Sequence, residues 1–241
     1  MRMDKTLVIT GSTGGVGRAL VSRVKDLGFA KVKLLSRSEE VRKWSQNGVD
    51  LESLNIDLLS HDEVSNFAEG LKKADENPWA LLHLAGVTSN GMSWKLDEKS
   101  FDDVVQGNLK TSFLLSKHLI PLMRESGGGR IIFFSSIVAS TGVVGAPHYC
   151  ASKAALEGLT RALALETSRF GILVNAIALG YFNYGMIEDV PVDIQDKLRA
   201  TIPLQRFGSV EDLLPVLRML LDPKSGYVTG QVIHCNGGLR L

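Results

Sequence analysis

Four glycines crowd into the run Thr10-Gly11-Ser12-Thr13-Gly14-Gly15-Val16-Gly17 near the N-terminus. An apolar stretch, Leu7-Val8-Ile9, leads into it, and helical periodicity over 15–27 follows. Strand, glycine turn and helix together leave few foldable arrangements. Glycine allows a tight turn and a close approach of backbone that a side chain would block. The N–H groups at the start of the helix, with its dipole, stabilise an anion. After the first strand of an α/β sheet, that is where a dinucleotide pyrophosphate sits. An ordinary glycine-rich turn is the plainer reading, but the strand before and the helix after favour the phosphate. Gly11, Ser12, Thr13, Gly14, Gly15, Val16 and Gly17 are the expected cradle.

The same alternation continues along the chain. Apolar runs at 7–9, 32–35, 51–56, 80–84, 131–134, 172–179 and 231–234 read as seven strands, with helical stretches at 15–27, 60–74, 98–124, 149–170 and 209–221. Apolar runs without strict alternation suit parallel strands covered on both faces. The expected fold is therefore a doubly wound α/β sheet with right-handed crossovers. No repeat, low-complexity tract or linker divides the chain, so one domain over 1–241 is expected.

Composition excludes several classes. With 27 basic against 26 acidic residues, a net charge of +1 and 44% hydrophobic residues, the chain is globular and lacks the basic footprint of a nucleic-acid binder. The uncharged stretch 131–147 is too short and too rich in Ser, Thr and Gly for a membrane span, so no membrane association is expected. Cys150 and Cys235 offer neither a disulfide framework nor a C-x-x-C site, so no metal is expected and a reducing, cytoplasmic setting is.

Cofactor choice is read at the end of the second strand. A carboxylate there would bind the adenine-ribose hydroxyls of NAD, whereas an arginine pairs with a 2′-phosphate. The sequence Leu35-Ser36-Arg37-Ser38 carries no acid, so Arg37 points to NADP(H) in preference to NAD(H). The plainer reading is a solvated surface charge. Further on, Tyr149 and Lys153 stand four residues apart at the start of a helix and so share a face. A nearby ammonium is expected to lower the phenol pKa from its ordinary value near 10.

The glycine run at 10–17, Tyr-x-x-x-Lys at 149–153, Ser136 and Asn108 together resemble the short-chain dehydrogenase/reductase family over nearly the whole chain. Within it, the segments Ile202-Pro203-Leu204-Gln205-Arg206-Phe207-Gly208 and 227–238 most resemble the 3-oxoacyl-(acyl-carrier-protein) reductases. The resemblance implies a Rossmann-type sheet and a catalytic tetrad of Asn108, Ser136, Tyr149 and Lys153. Tyr149 would protonate the carbonyl oxygen, Ser136 would hydrogen-bond it, Lys153 would hold the nicotinamide ribose and Asn108 would anchor a water. It also implies that Asp57 and Leu58 line the adenine, and that Leu84, Ala85, Gly86 and the Phe182 backbone touch the cofactor. By the same analogy, the helices over 98–124 and 149–170 imply a homotetramer.

The chain departs from the family pattern in three places. His83-Leu84-Ala85-Gly86 replaces the usual Asn-Asn-Ala-Gly, so His83 must take over the hydrogen bonds of an asparagine or lose them. Leu179-Gly180-Tyr181-Phe182-Asn183-Tyr184 replaces Pro-Gly and a later threonine, placing aromatic rings on a substrate lid near 181–205. Tyr181, Phe182 and Tyr184 with Met92, Trp94 and Ser136 would shape an apolar acyl pocket, or the rings would only pack the lid. Thirdly, Gly127 and Phe170 stand where carrier-protein reductases place basic residues, although Arg130 and Arg169 lie close by.

The expected function is NADPH-dependent reduction of a 3-oxoacyl thioester on a carrier protein or coenzyme A. An NAD(P)-dependent dehydrogenase of a free secondary alcohol, sugar or cyclic ketone is the alternative. A non-catalytic NADP(H) sensor is a third, although it would not need the tetrad. Enoyl reductases of the family widen the Tyr-to-Lys interval, which here keeps three residues.

Overall fold

A computed structural model describes residues 3–38 and 48–240. Seven strands are present: β1 (Met3–Thr10), β2 (Phe29–Ser36), β3 (Asp50–Asn55), β4 (Pro78–His83), β5 (Gly129–Ser136), β6 (Ile172–Leu179) and β7 (Val232–Cys235). They form one sheet in the order β3-β2-β1-β4-β5-β6-β7, every pair parallel. This is the doubly wound arrangement expected. The strand order reverses between β1 and β4, which opens a crevice at their carboxyl ends.

Helices cover both faces. Side chains alternate across each strand, so Leu7 and Ile9 point one way and Val8 the other. Leu7, Ile9, Leu34 and Leu82 pack beneath α1 (Gly15–Ser22) and α8 (Val210–Leu221), meeting Leu20, Leu213 and Leu217. Val8, Leu81, Phe133 and Val174 pack beneath α2 (His61–Lys73), α4 (Thr111–Glu125) and α6 (Pro147–Thr167), meeting Val64, Leu115 and Leu156. No helix among the described residues is long and apolar enough to cross a membrane.

Three differences from the expected elements have physical causes. The helix expected over 98–124 is α3 (Glu98–Val105) joined to α4 through a π-turn, Gln106–Lys110, in which Thr111 N–H reaches back five residues to Gln106 O. The lid region contains α7 (Val192–Thr201), which buries no residue and so carries no apolar stripe to reveal it. A single turn, α5 (Val138–Thr141), follows β5 and is too short to leave a periodic signal.

Candidate active site

The glycine loop leaves β1 in the crevice. Gly11 takes a φ of +68°, and a Cβ there would meet Ala85 N at 2.5 Å. At Gly17 a Cβ would meet Gly11 O at 2.1 Å, so the loop folds onto the first turn of α1 only without side chains. Gly14 N–H closes the turn on Gly11 O at 3.1 Å, and Gly14 caps α1 with no side-chain hydrogen bond. The buried Ser12 hydroxyl has no protein partner. An uncapped helix start beside an unpartnered hydroxyl fits a pyrophosphate, since both leave hydrogen-bonding capacity for an anion. Gly15 has a further role that its sequence did not reveal. A Cβ there would meet Gly185 N at 2.2 Å and Tyr184 C at 2.8 Å, so the bare Gly15 lets the turn at 185–187 pack against α1.

The loop after β4 lies alongside. His83 is 1% exposed and bridges Thr10 Oγ1 at 3.0 Å and Thr111 Oγ1 at 3.2 Å, with its ring edge-on to Phe133. Both ring nitrogens therefore have protein partners. Burial, and then the Lys153 charge, push its pKa down to about 3, so the ring is neutral. Past it, a Cβ at Gly86 would meet Asn108 Oδ1 at 2.9 Å and Lys153 Nζ at 3.4 Å. Three of the expected site residues thus meet at one point.

The π-turn delivers Asn108. Its Oδ1 accepts from Val87 N–H at 2.7 Å, and its Nδ2 donates to Val87 O at 3.0 Å and Ser152 Oγ at 2.8 Å. The Asn108 side chain therefore ties the loop after β4 to α6. Its main-chain carbonyl accepts the Ser112 hydroxyl at 2.8 Å. Ser152 carried no distinguishing signal beyond its place three residues after Tyr149, whose carbonyl it caps at 2.8 Å.

Tyr149 and Lys153 project from α6, which Pro147 starts at a position where its missing N–H costs nothing. Lys153 Nζ donates to Phe134 O at 2.7 Å and lies 5.6 Å from the Tyr149 ring centroid. Burial lowers the Lys153 pKa to about 8. The expected depression of the tyrosine is not found: burial raises Tyr149 to about 12, against a smaller opposing effect of its hydrogen bond with Ser136. The site therefore holds a neutral phenol beside Ser136, the last residue of β5. A neutral phenol is a proton donor.

The remaining expected residues fall around this centre. Arg37 follows β2 at the same sheet edge, exposed and without a carboxylate partner among the described residues. Asp57 accepts from Leu59 N–H at 3.1 Å, and Leu58 packs against the α2 side of the core. Phe182 is buried, and its bridge to Gly208 uses Tyr181 O and Asn183 N–H, which turns the Phe182 amide away from Gly208. Tyr184 packs on the α1 side of the core and Tyr181 stands edge-on to Phe207. All three rings thus have protein contacts, while Met92 and Trp94 are exposed, Trp94 at 75%. Arg130 is no docking residue: it is buried against Trp79 at the far end of the sheet and donates to Gly129 O at 2.9 Å. Arg169 and Arg124 flank the Phe170 ring at 4.6 and 4.4 Å.

With that geometry in place, the likeness to known proteins is informative. A family model described as enoyl-(acyl carrier protein) reductase matches residues 11–240. The chain belongs to the short-chain dehydrogenase/reductase family. As such it is an NAD(P)-dependent oxidoreductase acting on CH–OH or C=O groups, with a nicotinamide cofactor. Among short-chain dehydrogenase/reductase relatives, the 3-oxoacyl-(acyl-carrier-protein) reductase of Rickettsia felis is 34% identical over 98% of this chain and 96% of its own. The protein of the same name from Staphylococcus aureus is 31% identical over 99% of both. A crystal structure from Sinorhizobium meliloti 1021, assigned as a short-chain alcohol dehydrogenase, superposes with a TM-score of 0.88 at 28% identity, covering 99% of this chain and 97% of that one.

Proposed function

We propose that the protein reduces a 3-oxoacyl thioester, carried on acyl carrier protein or coenzyme A, to the 3-hydroxyacyl product with NADPH. The observation that carries this reading is full-length likeness to 3-oxoacyl-(acyl-carrier-protein) reductases together with a convergent Asn108, Lys153 and Gly86 beside Tyr149 and Ser136. Bound nicotinamide supplies the hydride. The protein's own part is proton delivery and charge stabilisation. Tyr149, kept neutral by burial, gives its proton to the carbonyl oxygen as negative charge develops there, and Ser136 donates a hydrogen bond to the same atom. Lys153 takes the ribose hydroxyls, and the Asn108 carbonyl holds the water that restores the proton. The glycine loop takes the pyrophosphate, Asp57 and Leu58 border the adenine, and Arg37 pairs with the 2′-phosphate.

The description of the matching family model names an enoyl reductase, but the three-residue interval between Tyr149 and Lys153 supports chemistry at a carbonyl. The likeness to the Sinorhizobium protein favours a second reading, oxidation of a free secondary alcohol. Comparing acetoacetyl thioesters with free ketones under NADPH separates the two. Thioester turnover that Tyr149→Phe abolishes is expected, and its absence in the wild-type protein would overturn the reading. The exposed Leu165 on α6 and Phe113 on α4 support assembly with further copies of the chain, a tetramer by family analogy.

A further inference from the structure

His83 sits at the centre of a hydrogen-bond chain whose direction is fully determined. Gly107 O can only accept, so Thr111 must donate its hydroxyl proton there, at 2.8 Å. Thr111 Oγ1 then has only lone pairs to offer the imidazole, so His83 donates through Nε2–H. A neutral ring protonated at Nε2 has an accepting Nδ1, which takes the Thr10 hydroxyl proton. Thr10 Oγ1 in turn accepts Ala85 N–H at 3.1 Å. Every donor and acceptor in the chain is satisfied, and only one tautomer allows it.

The two ends of this chain are the two halves of the site. Thr10 immediately precedes Gly11, whose backbone packs on Leu84 and Ala85. Gly107 immediately precedes Asn108 inside the π-turn, and a Cβ at Gly107 would strike Val87 Cγ2 at 2.7 Å. We propose that His83 is a positioning residue that fixes the cofactor loop through Nδ1 and the Asn108 turn through Nε2, so that dinucleotide grip and Asn108 placement are set by one side chain. Its effect on turnover rests on the reductase reading above. Its effects on nucleotide binding and on Asn108 do not.

Two substitutions cut the chain on opposite sides. Asparagine places its amide near the Nδ1 position and reaches only Thr10, whereas glutamine places it near Nε2 and reaches only Thr111. His83→Gln is expected to raise the KM and Kd for NADPH about fivefold, the scale of one net hydrogen bond, with kcat nearly unchanged. His83→Asn is expected to keep the Kd but to lower kcat about fivefold and to speed exchange of the Asn108 side-chain amide protons. Nitrogen NMR of the wild-type ring is expected to show a protonated Nε2 and an unprotonated Nδ1 from pH 5 to 9. An Nδ1–H tautomer would overturn the proposal. So would two variants that lose thermal stability alike while the KM, Kd and kcat of the folded protein stay unchanged. A wild-type protein without thioester turnover would overturn the reductase reading alone, because the Kd and amide exchange still report on His83.

Discussion

Asn108 grips Val87 by both backbone groups, accepting its N–H at 2.7 Å and donating to its carbonyl at 3.0 Å. That pairing ties the loop after β4 to the π-turn, and the third bond, to Ser152, ties both to α6. Asn108→Ala leaves these groups without partners. At about 1 kcal/mol for each net hydrogen bond, the loss is on the order of 3 kcal/mol. For a domain of this size it corresponds to a fall in Tm of roughly 5–10 °C. Activity should fall as well, at least tenfold at a temperature where the variant is folded, because Gly86 and Lys153 lose their common wall. Calorimetry alongside carbonyl reduction checks both, and an unchanged Tm would show that the grip is weak.

The site's two shifted groups give stability a pH dependence of defined sign. Lys153 titrates near pH 8 in the folded chain against an ordinary 10.5, so between those values the unfolded chain binds more protons and stability rises with pH. The full rise is on the order of 3 kcal/mol. Tyr149 acts oppositely: its pKa is raised from 10 to about 12, so stability is lost as pH climbs above 10. Denaturant unfolding between pH 7.5 and 10 should show the rise in the wild-type protein, and Lys153→Met should flatten it. Equal slopes would mean that Lys153 is not held at low pKa. In kinetics, the alkaline limb of kcat/KM should lie near pH 8 and belong to Lys153, because the tyrosine keeps its proton well beyond it.

Arg37 stands exposed where β2 ends, free of any ion pair among the described residues. A guanidinium so placed can take a 2′-phosphate, and a carboxylate there would instead repel it and accept the ribose hydroxyls. Arg37→Asp should raise the KM for NADPH roughly tenfold or more and lower that for NADH. Preference that stays with NADPH would make Arg37 a surface charge only.

The sheet, its strand count and the crevice were legible because apolar runs and glycine punctuation record burial and turn geometry directly. Asn108, Ser136, Tyr149 and Lys153 were singled out through family resemblance, whereas what each touches was not legible. The depression foreseen for Tyr149 assumed that proximity to Lys153 outweighs burial, and in the folded chain burial wins. The π-turn at 106–110 has no sequence marker, since one extra residue in a helical turn hardly disturbs apolar periodicity. His83 was legible only as a departure: its partners Thr10 and Thr111 come from distant segments. The segment 181–205 was the least legible, because Tyr184 and Phe182 read equally well as substrate contacts or as packing, and their packing partners come from distant segments.

The contact of the 181–205 lid segment with Gly15 yields a sharp test. At Gly15 a methyl group would lie 2.2 Å from Gly185 N and 2.6 Å from Gly185 Cα, and backbone atoms cannot step aside as a side chain would. Gly185 is further held by its φ of +70° and by its N–H bond to Glu188 Oε2 at 2.9 Å. Gly15→Ala should therefore lift the turn at Gly185–Ile187 off α1 at a cost of about 1–3 kcal/mol. At Gly14 the nearest atom to an added Cβ is Gly11 O at 3.4 Å, an ordinary contact, so Gly14→Ala should leave the lid seated. Limited proteolysis within 181–205 should accelerate in Gly15→Ala and keep the wild-type rate in Gly14→Ala. If both alanines open the lid equally, the glycine loop as a whole supports it, and the contact at Gly15 has no special part.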